Sequence, residues 1–224
     1  LADLALIVPG FGGPLEVQGT VGQGADDFQV DVTVNAPGGL QSRVAGVMAR
    51  DFSTTNLSIN GGGDAAIVNP LLRTRSIQGP LSFDLTLNGP PGIGALGGRL
   101  ALTNGRLAEP RLGLSVSAVN AVADFANGQA QVDIQGQVDA GGTISVSGPV
   151  SLTGGPLDLA ARLSGVVLRD PNLYEILVDG EVGVSGNPAD GPLVQGRINV
   201  QEAELRIPST EIGRASCRES VSIS

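Results

Sequence analysis

Leu81-Ser82-Phe83-Asp84-Leu85-Thr86-Leu87-Asn88 decides the fold. In an extended chain Leu81, Phe83, Leu85 and Leu87 point to one side and Ser82, Asp84, Thr86 and Asn88 to the other, because successive strand side chains alternate between faces. A helix would scatter the same residues around its circumference. The segment predicts a strand with one apolar and one wet face, and the pattern extends in both directions. Leu112, Leu114 and Val116 oppose Gly113, Ser115 and Ser117; Val132 and Ile134 oppose Gln131, Asp133 and Gln135; Ile144 and Val146 oppose Thr143, Ser145 and Ser147. Farther on, Leu157, Leu159 and Leu163 oppose Asp158 and Arg162, and Ile176, Val178, Val182 and Val184 oppose Glu175, Asp179 and Glu181. Ile198 and Val200 oppose Arg197 and Asn199, and Leu205 and Ile207 close the series against Glu204 and Arg206. Upstream, Leu15, Val17, Val21, Phe28, Val30, Val32 and Val34 face away from Asp27, Gln29, Asp31 and Thr33.

Between these runs stand Gly13-Pro14, Gly79-Pro80, Asn88-Gly89, Asn104-Gly105, Asn127-Gly128, Gly148-Pro149, Gly155-Pro156 and Gly191-Pro192, which supply a positive φ or a pre-set turn φ. Tight turns between amphipathic strands make an antiparallel meander the economical topology. Asp64 to Arg75 lacks the two-residue period and reads as a short helix closed off by Pro70, or as a covering loop. No linker-like shift in composition appears, so residues 1–210 read as a single continuous all-β unit.

Composition narrows the chemistry. The chain has 224 residues, 41% of them hydrophobic but 3% aromatic, so its apolar faces are aliphatic. With 13 Lys plus Arg against 22 Asp plus Glu, a net charge of −9 and no histidine, a nucleic-acid footprint is excluded. Without histidine, and with Cys217 as the one cysteine, neither the usual soft metal site nor a Cys–His nucleophile pair can be assembled, and no metal or cofactor is expected. Asp170, Glu175, Asp179 and Glu181 fall mostly in the polar phase of their strands, which fits a solvated outer face better than acid–base catalysis. Gly10-Phe11-Gly12-Gly13 and Gly61-Gly62-Gly63 lack the spacing of a phosphate cradle. An enzyme with a small-molecule substrate, such as a polysaccharide lyase on a β-solenoid, would need clustered carboxylates or a basic residue at one cleft. The expectation is a non-enzymatic protein.

No run of 18 apolar residues and no leader-like start is present. The sequence opens inside an apolar stretch (Leu4, Leu6, Val8) and has its one Met at Met48, so it reads as a piece of something longer. At the other end, Ile212-Gly213-Arg214-Ala215-Ser216-Cys217-Arg218-Glu219 resembles the translation of a short-read sequencing adapter, ATC GGA AGA GCG TCG TGT AGG GAA. Residues 211–224 are read as a non-native, disordered tail. Removing them leaves 11 positive against 20 negative residues, the same net −9.

What remains is collective. Burying an acyl chain gains roughly 0.8 kcal/mol per methylene, so carrying a lipid tail through water demands an unbroken apolar path, and an unpaired charge on that path would cost several kcal/mol. The same periodicity also fits a face packed on itself in a sandwich or beneath helices. Helix-length patterns are nearly absent and interlocking rings few, which favours an open face. By phase, its lining would comprise Leu85, Leu114, Val116, Val132, Ile134, Ile144, Val146, Leu159, Ile176, Val178, Val182, Ile198, Val200 and Leu205.

Three stretches are more specific: Gly79-Pro-Leu-Ser-Phe-Asp-Leu-Thr-Leu-Asn-Gly89, Gly105-Arg-Leu-Ala-Glu-Pro110 and Gly141-Gly-Thr-Ile-Ser-Val-Ser-Gly-Pro149. With Leu168-Arg-Asp-Pro-Asn-Leu-Tyr174, Val178-Asp-Gly180 and Gly191-Pro-Leu-Val-Gln-Gly-Arg-Ile-Asn-Val-Gln-Glu-Ala-Glu-Leu-Arg-Ile-Pro208, they resemble the TamB family (translocation and assembly module, AsmA-like) from about Gly79 to Ser209, in an alphaproteobacterial flavour. The resemblance implies an elongated, curled, mostly antiparallel sheet, a β-taco or half-pipe with a hydrophobic concave face. It implies a periplasmic protein of a Gram-negative envelope, anchored in the inner membrane when full-length. It further implies phospholipid acyl chains as cargo between the membranes, support of outer-membrane protein assembly, and an Omp85-family, TamA-like partner. The alternative is a chaperone-like scaffold for outer-membrane protein or autotransporter insertion, without lipid conduction. Contact with the outer-membrane partner is expected in parts of the C-terminal domain that this chain lacks.

Overall fold

A computed structural model of the chain describes residues 16–72, 75–170, 174–188 and 190–205. It forms one thirteen-stranded sheet. The strands are β1 (Glu16–Gln23), β2 (Asp27–Ala36), β3 (Leu40–Ala49), β4 (Thr55–Asp64), β5 (Ser76–Gln78), β6 (Pro80–Gly89) and β7 (Leu96–Glu109), followed by β8 (Leu114–Ala126), β9 (Gln129–Val138), β10 (Thr143–Ser151), β11 (Leu157–Asp170), β12 (Tyr174–Gly186) and β13 (Leu193–Leu205). Neighbours in sequence pair antiparallel throughout, except that β4 pairs with β6 and the short β5 runs in line with β6 along the far half of β7. β1 and β13 form the two edges and do not meet, so the sheet is open rather than a barrel.

The registers turn the period-two pattern into rows. Val17, Val34, Ser42, Gly61, Phe83, Leu100, Ala123 and Val132 stand opposite one another across eight strands. A parallel row runs Leu81, Leu102, Ala121, Ile134, Val146, Ala161, Val182 and Gly196. A one-residue slip anywhere would turn a strand's apolar side chains to the wet face, so the pattern enforces its own register. The other face carries cross-strand ion pairs: Arg43–Asp31 at 2.8 Å, Arg99–Asp124 at 2.6 Å and Arg162–Glu181 at 2.6 Å. Exposed pairs of this kind stabilise little, but they keep like charges apart.

Among the punctuation marks, Asn127-Gly128 makes a two-residue hairpin turn, with φ of 52° and 73°, joining Ala126 to Gln129. Gly155-Pro156 and Gly191-Pro192 also fall between strands, while Gly13-Pro14 lies outside the described residues. Three others are not turns. Asn88-Gly89 ends β6, and Asn104-Gly105 lies inside β7. Gly148-Pro149 lies inside β10, where Pro149 pairs with Gln131 of β9 while the ladder toward β11 passes from Ser147 straight to Val150. Proline is tolerated there because its missing N–H falls at a gap in the ladder.

The aperiodic segment after β4 is a 3-10 turn (Ala65–Val68) running into α1 (Asn69–Leu72). Pro70 stands near the start of this helix rather than closing it, since a first-turn N–H has no partner to lose. The Asp64 side chain caps the turn by accepting the Ala66 N–H at 2.8 Å, and Asn69 Oδ1 accepts the Ile77 N–H at 2.8 Å. The strand read through Leu112 starts instead at Leu114. Pro110–Leu112 form a 3-10 turn that Gly113 ends at φ 60°, 2.9 Å from the Arg169 carbonyl at the point where a Cβ would sit. Residues 211–224, read as an adapter-derived tail, lie outside the described residues.

Candidate functional site

β7, β8, β11, β12 and β13 are 13 or 14 residues long, against 8 to 10 for β1 to β4, β6, β9 and β10. The long strands break register between Leu102 and Leu107, Ser117 and Asn120, Leu163 and Val166, and Val200 and Glu202. Each break is a bulge, and a bulge bends its strand. By register the breaks line up across the unbroken β9, β10 and β12, so the bends sum into one crease between β7 and β13.

One face of the crease is packed tightly. Leu102, Val116, Val119, Val138, Val166 and Val178 are each exposed by 5% or less and form a single cluster with Ala65. Ile77, Leu81, Leu107, Leu114, Ala121, Ile134, Ile144, Leu163 and Leu168 pack against it. A flat single-layer sheet leaves valines half in water. Two things bury them: the 3-10 turn carrying Ala65 lies against part of the cluster, and the bulged sheet curls toward its apolar side over the rest. Small residues at the fold make room: a Cβ on Gly136 would lie 2.6 Å from Val116 Cγ1 and 3.3 Å from Val119 Cγ2, and one on Gly105 would lie 2.8 Å from Leu102 Cδ2. Ala130, between Phe125 and Val150, is buried away from this belt.

Away from the crease the same apolar face is more accessible. Of the residues assigned to its lining by phase, Val116 and Val178 are buried in the crease, and Leu114, Ile134 and Ile144 pack on it. Leu85, Val132, Val146, Leu159, Ile176 and Val182 are half-buried on the same face. Ile198 and Val200 share that face but stand exposed on the edge strand, as do Val194 at 61% and, at the opposite edge, Val21 at 65%. Leu205 ends β13 opposite Tyr174, and its side chain lies outside the described set. Phase reading missed Leu102, Val119, Val138 and Val166. A bulge adds one residue and inverts the alternation, so Leu163 and Val166 share a face although three positions apart. The Asn104-Gly105 dipeptide, left-handed at Asn104, and the left-handed Gly165 were the available signals.

Phase reading also missed a charge. Glu109 ends β7 opposite Leu114 and is 7% exposed, so the apolar face is not free of charged groups. Its carboxylate accepts a hydrogen bond from the Arg75 guanidinium and another from the Arg111 N–H at 3.3 Å. The bond from Arg75 holds its carboxyl below the usual glutamate range, with the backbone donor and the charge of Arg111 adding to the effect. On the outer face, Arg43 and Arg99 likewise lower Asp31 and Asp124. A depression of about 660 Å³ bounded by Ser82, Asp84, Thr86, Arg99 and Asp124 lies on that polar face, crossed by the Arg99–Asp124 pair. Its ion pair faces water, whereas the crease is filled by the protein's own aliphatic side chains.

Among the described residues no group of three or more His, Cys, Asp or Glu is placed to hold a metal ion, and no helix is long and apolar enough to cross a membrane. Residues 128–221 match the family model of the TamB C-terminal domain. No curated protein and no solved structure matches the chain.

Proposed function

Starting from a chain whose residues 128–221 are of the TamB family, we propose that its apolar trough carries phospholipid acyl chains across the space between the inner and outer membranes. The family is one of structural and transport modules of the Gram-negative envelope that work with an outer-membrane partner, rather than one of enzymes. The observation carrying the proposal is the division of the sheet: rows of aliphatic side chains fold into a crease on one face while the ion pairs between strands stand on the other. An acyl chain moving along such a face exchanges one methylene contact for another and never has to re-enter water, at roughly 0.8 kcal/mol for each methylene kept buried. Glu109, the one buried carboxylate among the described residues, carries its own counterion and so does not stand on the path as a bare charge. In the full-length protein the trough would run from an inner-membrane anchor to an Omp85-family, TamA-like partner in the outer membrane.

The test is a photocrosslinking residue placed in living cells at Ile134 and, separately, at Asp133. These neighbours occupy opposite faces, one half-buried and one exposed. Lipid labelling at Ile134 and not at Asp133 is expected; equal labelling at both positions refutes the trough. A second reading, a scaffold that offers strand edges to outer-membrane proteins during assembly, draws on the unpaired edges of β1 and β13. In that case nascent barrel strands, not lipid, crosslink along Gln195 to Gln201.

A further inference from the structure

Two polar side chains make hydrogen bonds at the register breaks of the crease. Its register breaks contain three residues in the left-handed region: Asn104 at φ 49°, Ala118 at 48° and Gly165 at 56°. Breaks of this kind leave backbone groups without ladder partners, and any residue with a Cβ resists the left-handed conformation. Here each of the three is tied. The Asn104 N–H donates to Asn120 Oδ1 at 3.0 Å, and Asn120 Nδ2 donates to the Ala118 carbonyl at 3.0 Å. The Gly165 N–H donates to Asp179 Oδ1 at 2.6 Å, while Gln201, which sits in the break on β13, donates through Nε2 to the other oxygen of Asp179. Asn120 therefore bridges the breaks in β7 and β8, and Asp179 those in β11 and β13. Both stand on the polar side of the fold, behind the apolar belt.

We propose that Asn120 and Asp179 are positioning residues that set the fold angle of the crease, and through it the spacing of the two walls of the trough. A bulged strand can straighten by rotating its extra residue out of the left-handed region. Straightening β7 would pull the Asn104 N–H off Asn120, and straightening β11 or β13 would break a bond to Asp179. Two side chains thus couple four bends, and the sheet opens or closes along the crease as a unit. The geometric claim stands independently of any cargo; its consequence for lipid rests on the trough being a lipid path, since wall spacing decides how closely acyl chains can contact the half-buried Ile144, Val146 and Val182.

The experiment uses the full-length protein with its native cysteines replaced and spin labels at Gln195→Cys and Glu204→Cys. Both positions are exposed on β13, nine residues apart, one on each side of the break at Gln201. Asn120→Ala with Asp179→Ala lengthens the mean label separation toward that of an unbent strand, roughly 30 Å at about 3.3 Å per residue. Asp179→Asn, which keeps an acceptor for the Gly165 N–H and whose Nδ2 can donate to Oε1 of a turned-over Gln201 amide, returns the parent separation. If the double variant does not fold, Asp179→Ala alone gives the same readout. An unchanged separation overturns the proposal, and so does a lowered melting temperature at constant separation, which would make the bonds merely stabilising. A photocrosslinker at Ile144 reads lipid in parallel, with labelling expected to fall at least twofold in the double variant. Absence of labelling in the parent itself refutes the lipid path while leaving the separation result to decide the role of Asn120 and Asp179.

Discussion

Replacing Gly136 by alanine tests directly whether the sheet is folded at its crease. The new methyl would stand 2.6 Å from Val116 Cγ1 and 3.3 Å from Val119 Cγ2, closer than carbon atoms pack. Val116 and Val119 are themselves exposed by 5% or less and cannot swing away into solvent. Overpacking of this kind costs about 1–3 kcal/mol. Against it stands a gain of about 0.4–1 kcal/mol, because alanine has less conformational freedom to lose on folding. Gly183→Ala is the matched control: it lies on the outer face of the neighbouring fold region, where the nearest atom to a new Cβ is the Gln195 carbonyl oxygen at 3.7 Å. It keeps the gain without the clash, so the two variants should differ by roughly 2 kcal/mol. Urea titration followed by far-ultraviolet circular dichroism measures this as a lower midpoint for Gly136→Ala at unchanged slope. Equal midpoints, or a higher one for Gly136→Ala, would mean that Val116 and Val119 do not close over Gly136 and that the face is flat there.

Burial along the apolar face has a matching gradient. Val166→Ala, at the crease, should cost roughly 2 kcal/mol from two lost carbons and the cavity they leave, whereas Val194→Ala on the open edge strand, 61% exposed, should cost about 0.5 kcal/mol; equal urea midpoints would contradict the fold. The paired carboxylate sets a pH dependence. Because the Arg75 bond lowers the Glu109 pKa in the folded state, its contribution is fully present above the unfolded value of about 4.3 and is lost as pH falls through the depressed folded value. Glu109→Gln should therefore flatten the stability profile in the acid range, and profiles of variant and parent that stay parallel there would show that the ion pair contributes nothing.

Period-two alternation from Val17 to Val200 was enough to identify an all-β chain and to assign which side chains share a face, because in a strand that assignment depends only on parity. Dense turn dipeptides added the antiparallel meander, and Asn127-Gly128 named one hairpin outright. Parity also fails at a bulge, so Val166 was unreadable until its pairing with Val178 was known, and Glu109 entered the apolar face unseen for the same reason. Asn104-Gly105 and Gly148-Pro149 look like turns locally and are strand interiors in fact, since a left-handed residue or a missing N–H can be absorbed by a break in a ladder when the neighbouring strand supplies it.

The chain alone thus determined the chemistry of the two faces. Alternation is a local property, carried by each residue and its neighbours. Which way the sheet folds, how tightly, and where a charge is tolerated were decided only in three dimensions. Those depend on four register breaks falling into line across strands distant in sequence, and on Asn120 and Asp179 reaching across them, and no single strand contains that alignment.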